Sequence, residues 1–210
     1  SLMISPINFL VWNIRGAARA DSQRYLLRLC RQHHLRLVIL LEPMASSDTL
    51  ILLGRKLNYS HAQSFLEGKI WTFSNTDLSV VPHELGDQLV HMEISWVGFS
   101  LQVSVVYAKC TRVGRRGLWQ AMEEVHERFP RPWLMAGDFN VVSNASERSG
   151  GAPPNERNMD ELNEATFSCW LADVGFDGPL FTWTNGTVWQ HLDRAIANTA
   201  WMDTFDVMKV

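Results

Sequence analysis

The sequence predicts an α/β sandwich, two mixed β-sheets packed together with helices outside. Three observations predict it. Nearly continuous apolar runs, Leu35 to Leu41 (broken only by Arg36) and Trp133-Leu134-Met135-Ala136, read as strands buried on both faces. Stretches of helical period separate such runs, as at Tyr25, Leu26, Leu29 and Cys30. From about Ala62 to Ala108 the pattern changes to successive strand-like pieces parted by turn residues. Two sheets packed face to face, with helices on their outer sides, use all of these pieces. At 210 residues and 46% hydrophobic, with nine Trp and ten Phe, the chain has enough apolar material for one substantial core.

Taken in order, residues 1–7 read as an N-terminal tail, with Ser1-Leu2-Met3 a cloning remnant, and residues 8–210 as a single domain. Phe9 to Trp12 is a short buried strand ending at Asn13. Asp21 or Ser22 caps the helix that follows. Leu35 to Leu41 is the second strand, stopped by Glu42-Pro43, and Ser46 or Ser47 opens a helix through about Leu57. Strand pieces at Ile70–Phe73, Leu78–Val81, Leu89–Ile94 and Phe99–Tyr107 form an antiparallel meander. Gly114 to Phe129 is a helix with Leu118, Met122, Val125 and Phe129 on one face and Glu123, Glu124 and Glu127 turned away. After the strand at Trp133, Ser149-Gly150-Gly151-Ala152-Pro153-Pro154 is a loop. A helix from about Met159 to Leu171, a strand at Phe181-Thr182-Trp183, a turn at Asn185-Gly186 and a strand over Trp189–Ala195 complete the pattern.

Composition excludes several classes of protein. A formal net charge of −3 argues against holding nucleic acid by bulk charge, so a polyanion site must be local. Cys30, Cys110 and Cys169 are widely spaced and form no Cys-x-x-Cys pair, which speaks against a zinc ribbon or a disulfide framework and for a reducing compartment. The densest apolar run is far too short to span a bilayer, and no signal peptide is visible. An intracellular protein with no membrane partner is expected.

The polar residues at strand ends carry the chemistry. Trp12 is followed by Asn13, Leu41 by Glu42, and Ala136-Gly137 by Asp138 and Asn140; the run Val188 to Leu192 reaches Asp193. In an extended strand Asp138 and Asn140 share one side, with Phe139 on the other. Each alone reads as a turn or cap residue. Together, two amides and three carboxylates at the ends of core strands are hard oxygen donors suited to Mg²⁺ (or Mn²⁺). Phosphodiester hydrolysis needs such a metal to neutralise phosphoryl oxygens, a carboxylate to handle the water, and donors for the transition state. Lys109, Arg112, Arg115 and Arg116 form a basic loop after Tyr107 that, with Arg15, either lines a phosphate track or is merely a solvated approach to a helix. Trp183 and Trp189 are either base-stacking surfaces or core aromatics.

Six motifs occur in one order: Trp12-Asn13-Ile14-Arg15-Gly16, Leu41-Glu42-Pro43, Val106-Tyr107-Ala108, Gly137-Asp138-Phe139-Asn140, Phe181-Thr182-Trp183 and Leu192-Asp193-Arg194. In this the chain resembles the endonuclease/exonuclease/phosphatase superfamily of DNase I-like fold. Stretches such as ILLEPM, VYAKCTRVGRR and LDRAIAN resemble the apurinic-endonuclease-like domain of plant LINE-type (non-LTR) retrotransposon proteins, over about residues 8–205. The resemblance implies a four-layer sandwich and a Mg²⁺-dependent DNA endonuclease. That enzyme nicks one strand for target-primed reverse transcription, acts in the nucleus, and is followed in the intact element by a reverse transcriptase. It also implies roles: Glu42 ligates the metal with Asn13 in support; Asp138 handles the attacking water, and Asn140 orients it. Tyr107 reaches a phosphate oxygen, Thr182 lies near the DNA strand, and Asp193 orients a histidine.

That histidine belongs to a Ser-Asp-His motif that none of the seven histidines here matches. His191 reads as a core or surface residue. The resemblance therefore implies impaired catalysis and a sandwich lacking its last strand. Two other readings stand beside the endonuclease: a catalytically inactive retrotransposon relic that binds nucleic acid, and another phosphoesterase of the same superfamily.

Overall fold

The computed structural model describes residues 7–205; the N-terminal tail expected at residues 1–7 lies outside them except for the buried Ile7. Two compact units divide the chain between Val80 and Val81.

The first unit is a four-stranded sheet of order β1-β2-β4-β3 with two helices. Strand β1 (Phe9–Asn13) leads through helix α1 (Ala20–His33) to β2 (Leu37–Leu41), which lies parallel to it with Asn13 opposite Leu41. Helix α2 (Ser47–Leu57) and strand β3 (His61–Phe65) follow, then β4 (Ile70–Ser74), antiparallel to both β2 and β3. Every residue of β2 is buried, as a continuous Leu-Val-Ile run requires of a central strand. Its core joins Val38 and Leu40 to Leu26 of α1, Leu50 and Leu53 of α2, and Trp71 and Phe73 of β4. Ser46 caps α2 by accepting the Thr49 N–H, as its position before the apolar stripe suggests. Helix α1 departs from expectation: it starts one residue before Asp21, and Arg19 at its N-cap makes no side-chain bond. Asp21 instead lies in the first turn, where the helix dipole favours a carboxylate. Strand β3 carries no apolar alternation, because it is mostly exposed and pairs only with β4.

The second unit holds β5 (Ser79–Leu85, beginning at the divide), β6 (Leu89–Trp96), β7 (Phe99–Tyr107), α3 (Arg112–Arg128) and β8 (Trp133–Asp138). After these come β9 (Arg148–Ser149), α4 (Glu156–Ser168), β10 (Leu171–Asp173), β11 (Trp183–Thr184), β12 (Trp189–Gln190), β13 (Asp193–Asn198) and α5 (Thr199–Thr204). The main sheet runs β10-β13-β8-β7-β6-β5, and β11-β12-β9 form a small separate sheet. Strands β7 and β8 are parallel, as a helical crossover demands, and β13 returns antiparallel to β8. Leu118, Met122 and Val125 of α3 pack with Leu162 and Ala165 of α4 and with Trp133 and Met135 of β8. Helix α3 begins at Arg112, two residues before the expected Gly114, because Thr111 caps it by accepting the Gly114 N–H. Helix α4 begins after Asn155, which accepts the Asn158 N–H, and it stops at Ser168, so that Leu171 belongs to β10. The strand expected over Trp189–Ala195 is two strands, and Asp193 opens the second.

His91 on β6 is wholly buried, its Nδ1 2.9 Å from the Ser104 hydroxyl of β7. Burial, with His83 and Arg128 nearby, pulls its pKa from 6.5 down to about 4. The fold thus holds His91 neutral, whereas the unfolded chain takes up a proton below pH 6.5. Stability is therefore full above pH 6.5 and declines as pH falls toward 4, by on the order of 3 kcal/mol. Urea unfolding between pH 7 and 4 measures this, and His91→Phe flattens that part of the profile.

Candidate active site

The carboxyl end of β8 gathers the polar residues of the second unit. Tyr107 of β7 pairs with Asp138 across one side of the strand, and Asp193 of β13 pairs with it across the other. Directly paired residues in a sheet present their side chains on the same face. Tyr107, Asp138 and Asp193 therefore form one row at one sheet edge. Asp193 reaches that edge by beginning its strand, since β13 runs against β8. The sequence had it ending one.

Gly137 makes this row possible. Its φ is +140°, and a Cβ there would stand 2.1 Å from the Val106 carbonyl oxygen of β7. Only glycine allows β7 to approach so closely one residue before the carboxylate. Asp138 is 3% exposed, and its Oδ1 accepts the Asn140 N–H at 2.8 Å. Asn140 adopts a left-handed φ of +51°, which an Asx side chain tolerates. The Asn140 amide donates from Nδ2 to the Ala108 carbonyl at 2.7 Å, while its Oδ1 lies 3.8 Å from the Cys110 thiol. Asn140 is thus fixed in orientation by the segment that follows Tyr107. Thr182 supports the row from another loop: its Oγ1 accepts the N–H groups of Leu192 and Asp193, each at 3.0 Å.

Two residues with no assigned role brace this edge. Arg194, buried beside Asp193, donates from Nη2 to Glu147 Oε2 at 2.6 Å. Glu147 also accepts from the Ser143 N–H at 2.6 Å and the Ser143 hydroxyl at 2.7 Å. Burial pushes the Glu147 carboxyl up, but Arg194 and Ser143 together outweigh it and hold the pKa below its usual value. Arg194 was visible in the Leu-Asp-Arg motif; nothing in the sequence marks Glu147 as its partner. His191 is buried, with Nδ1 2.7 Å from the Leu180 carbonyl oxygen.

The basic loop divides. Arg116 is exposed, Lys109 is ion-paired to Asp87, and Arg112 is 2.6 Å from Glu161. Arg115 is a correction: it is 1% exposed, and Nη1 donates to the carbonyls of Lys109, Cys110 and Asn140 at 3.0 to 3.1 Å. Burial lowers its pKa. It ties the loop after Tyr107 to the loop after Asp138, and its guanidinium does not face a phosphate track. The signal was available, since Arg115 stands three and seven residues before Leu118 and Met122, on the buried stripe of α3. Of the two tryptophans, Trp189 is exposed and Trp183 half-buried.

In the first unit, Asn13 and Glu42 stand at the carboxyl ends of neighbouring parallel strands. Glu42 adopts φ +48°, a strained conformation for glutamate, held by its N–H to the Lys69 carbonyl and by the Gly16 N–H to its own carbonyl, both at 3.0 Å. Arg15, exposed, follows Asn13. One carboxylate with one amide oxygen fits Mg²⁺, which binds few protein ligands and keeps its waters. No group of three or more His, Cys, Asp or Glu side chains among the described residues offers an all-protein cage.

Residues 10–205 match the sequence pattern described as the Endonuclease/Exonuclease/phosphatase family. The chain belongs to that family. Membership supports a hydrolytic nuclease or phosphatase activity. Among solved structures, the endonuclease domain of TRAS1, a telomere-specific non-LTR retrotransposon, is 13% identical with a TM-score of 0.71, covering 94% of this chain and 88% of that one. The Neisseria 3′ phosphatase NExo, bound to a product DNA hairpin, is 13% identical with a TM-score of 0.65, covering 93% and 88%. The AP endonuclease LMAP of Leishmania major is 15% identical with a TM-score of 0.65, covering 92% and 79%. At these identities the likeness shows the fold, which is the DNase I-like α/β sandwich expected from the sequence. A search of curated proteins finds no match. No helix among the described residues is long and apolar enough to cross a membrane.

Proposed function

We propose that the chain is a Mg²⁺-dependent DNA endonuclease of a plant LINE-type retrotransposon, nicking one strand so that the new 3′ end primes reverse transcription in the nucleus. The row Tyr107–Asp138–Asp193, with Asn140 bonded to Asp138, carries this reading. Asp138 orients the attacking water and takes its proton. Asn140 positions that water and the phosphate, Tyr107 donates to a phosphate oxygen, and Asp193 is the partner for a histidine that stabilises the developing charge. Glu42 and Asn13 hold the metal, which when bound neutralises the phosphoryl oxygens. Arg15, Lys109, Arg112, Arg116 and the Thr182 loop are the proposed DNA contacts. DNA as the substrate is supported by the retrotransposon endonuclease and the DNA-bound phosphatase among the structures of like fold.

Conversion of supercoiled plasmid to open circles tests the proposal. Nicking should appear with Mg²⁺ or Mn²⁺, stop with EDTA and return on adding excess metal. Folded protein that leaves the plasmid supercoiled under every metal condition defeats it.

A further inference from the structure

The chain is acidic overall, with 19 Lys and Arg against 22 Asp and Glu, but its charge is unevenly placed. Residues 15–56 hold Arg15, Arg19, Arg24, Arg28, Arg31, Arg36, Arg55 and Lys56 against only Asp21, Glu42 and Asp48. That is 8 − 3 = +5 for this stretch, leaving 11 − 19 = −8 for the remainder. Such asymmetry marks a local polyanion surface on a protein that would otherwise repel one.

Helix α1 concentrates this charge on its outer side. Arg24, Arg28 and Arg31 follow one another at i, i+4 and i+7, so they form a single stripe, and all three are exposed. They line a shallow depression of about 600 Å³ with Leu27 and Gln32. Among the described residues Arg24 is paired only with the solvent-exposed Asp21, an interaction too weak to hold it from another anion. Among the described residues no carboxylate pairs with Arg28 or Arg31. Arg28 is oriented by the Tyr25 ring, 4.8 Å from its guanidinium carbon, and Tyr25 is set by the edge of Trp12. A second depression, of about 300 Å³, continues from Leu27 and Arg31 to Lys56. From Arg24 to Arg31 the helix rises ~10 Å, the axial length over which a duplex strand presents about three phosphates.

We propose that the outer face of α1 binds the phosphate backbone of a nucleic acid through Arg24, Arg28 and Arg31. The ligand class rests on the function proposed above; the site itself is separate from Asn13 and Glu42 of the same unit, since α1 leads away from the sheet edge on which they stand. Guanidinium groups suit this ligand because they bind phosphate oxygens bidentately, and three in line neutralise successive phosphates.

Anisotropy of labelled duplex DNA, and of RNA of the same sequence, is measured with the full chain in EDTA at 50 to 200 mM salt, a range suited to counterion release. Arg24→Gln/Arg28→Gln/Arg31→Gln should weaken duplex binding by about tenfold and reduce the slope of log K against log salt by about two to three. Arg128→Gln/Arg131→Gln/Arg157→Gln removes equal charge from the second unit and should leave the slope within one unit of wild type. A preference for DNA or RNA identifies the source of the backbone, and either supports the site. An unchanged slope in the α1 triple, an equal loss in the second-unit triple, or displacement by poly-glutamate at equal charge concentration overturns it. If the α1 triple does not fold, Arg28→Gln and Arg31→Gln alone carry the test, each lowering the slope by about one. Because binding is read without metal, loss of this inference and loss of the endonuclease reading are distinct: a chain that binds through α1 and never nicks defeats only the latter.

Discussion

Asp138→Asn lowers the plasmid-nicking rate by about 10³-fold, within the range for removing a general base, while DNA affinity and the unfolding transition stay near wild type. The geometry makes this substitution selective. Asp138 is buried, and one of its oxygens accepts the Asn140 N–H at 2.8 Å. Asparagine keeps an oxygen at that position, so the left-handed conformation at Asn140 and the register with Tyr107 and Asp193 persist. What disappears is the negative charge and the capacity to take a proton from water. Single-turnover nicking at saturating protein isolates the chemical step from binding. A rate within threefold of wild type would remove Asp138 from the chemistry, and a matching loss of affinity would recast it as a structural residue.

Glu147→Ala costs about 3–5 kcal/mol, the range for stripping one partner from a buried ion pair. For a chain of this size that lowers the melting temperature by roughly 10 °C. Arg194 has almost no access to water, and once Glu147 is gone its remaining carboxylate contact is Asp173 at 3.4 Å. The pair joins the loop after β8 to the start of β13, so its loss loosens the strand that presents Asp193. Its pH dependence has a definite sign. The folded pKa of Glu147 is depressed, so the stabilisation is complete above the ordinary carboxylate value of 4.5 and is lost as pH falls through the lower folded value. Urea titrations of wild type and variant should differ fully at pH 7 and converge in strong acid. A difference below 1 kcal/mol at pH 7, or one that persists unchanged when Glu147 is protonated, contradicts the assignment. Glu147→Ala/Arg194→Met should recover much of the loss, because the stranded charge is what costs most.

The central strands were legible because burial on two faces leaves only apolar residues: β2 and β8 announce themselves. Helices α2, α3 and α4 were legible from their stripes, with Ser46, Thr111 and Asn155 fixing where they begin. Strands β3, β9 and β10 were not, being short, largely exposed and defined by their partners instead of by a pattern of their own. Asp138, Asn140 and Asp193 could be picked out as polar groups beside apolar runs. That Asp193 starts a strand could not, since direction and register arise only from pairing with β8. Arg115 shows the opposite failure. Its charge suggested a ligand contact, while its helical position already placed it inside. Three backbone carbonyls outbid solvent for its guanidinium, a contest that residue type alone does not reveal.

The pairing of Asp138 with Asp193 has an evolutionary consequence. These carboxylates come from strands that neighbour each other in the sheet, yet the chain between them, residues 139–192, runs through loops, α4, the edge strand β10 and the small three-stranded sheet before returning. The ladder between β8 and β13, pinned by Glu147 and Arg194, sets their spacing independently of how long that excursion is. The exposed loops of this excursion, residues 150–155 and 185–187, are therefore a cassette, whereas α4, β10 and Thr182 stay fixed because they pack into the core or bond to β13. Those loops can be lengthened, trimmed or given a different surface, and the same pair of carboxylates remains in register. Target preference and reaction chemistry can diverge in such a domain at different speeds.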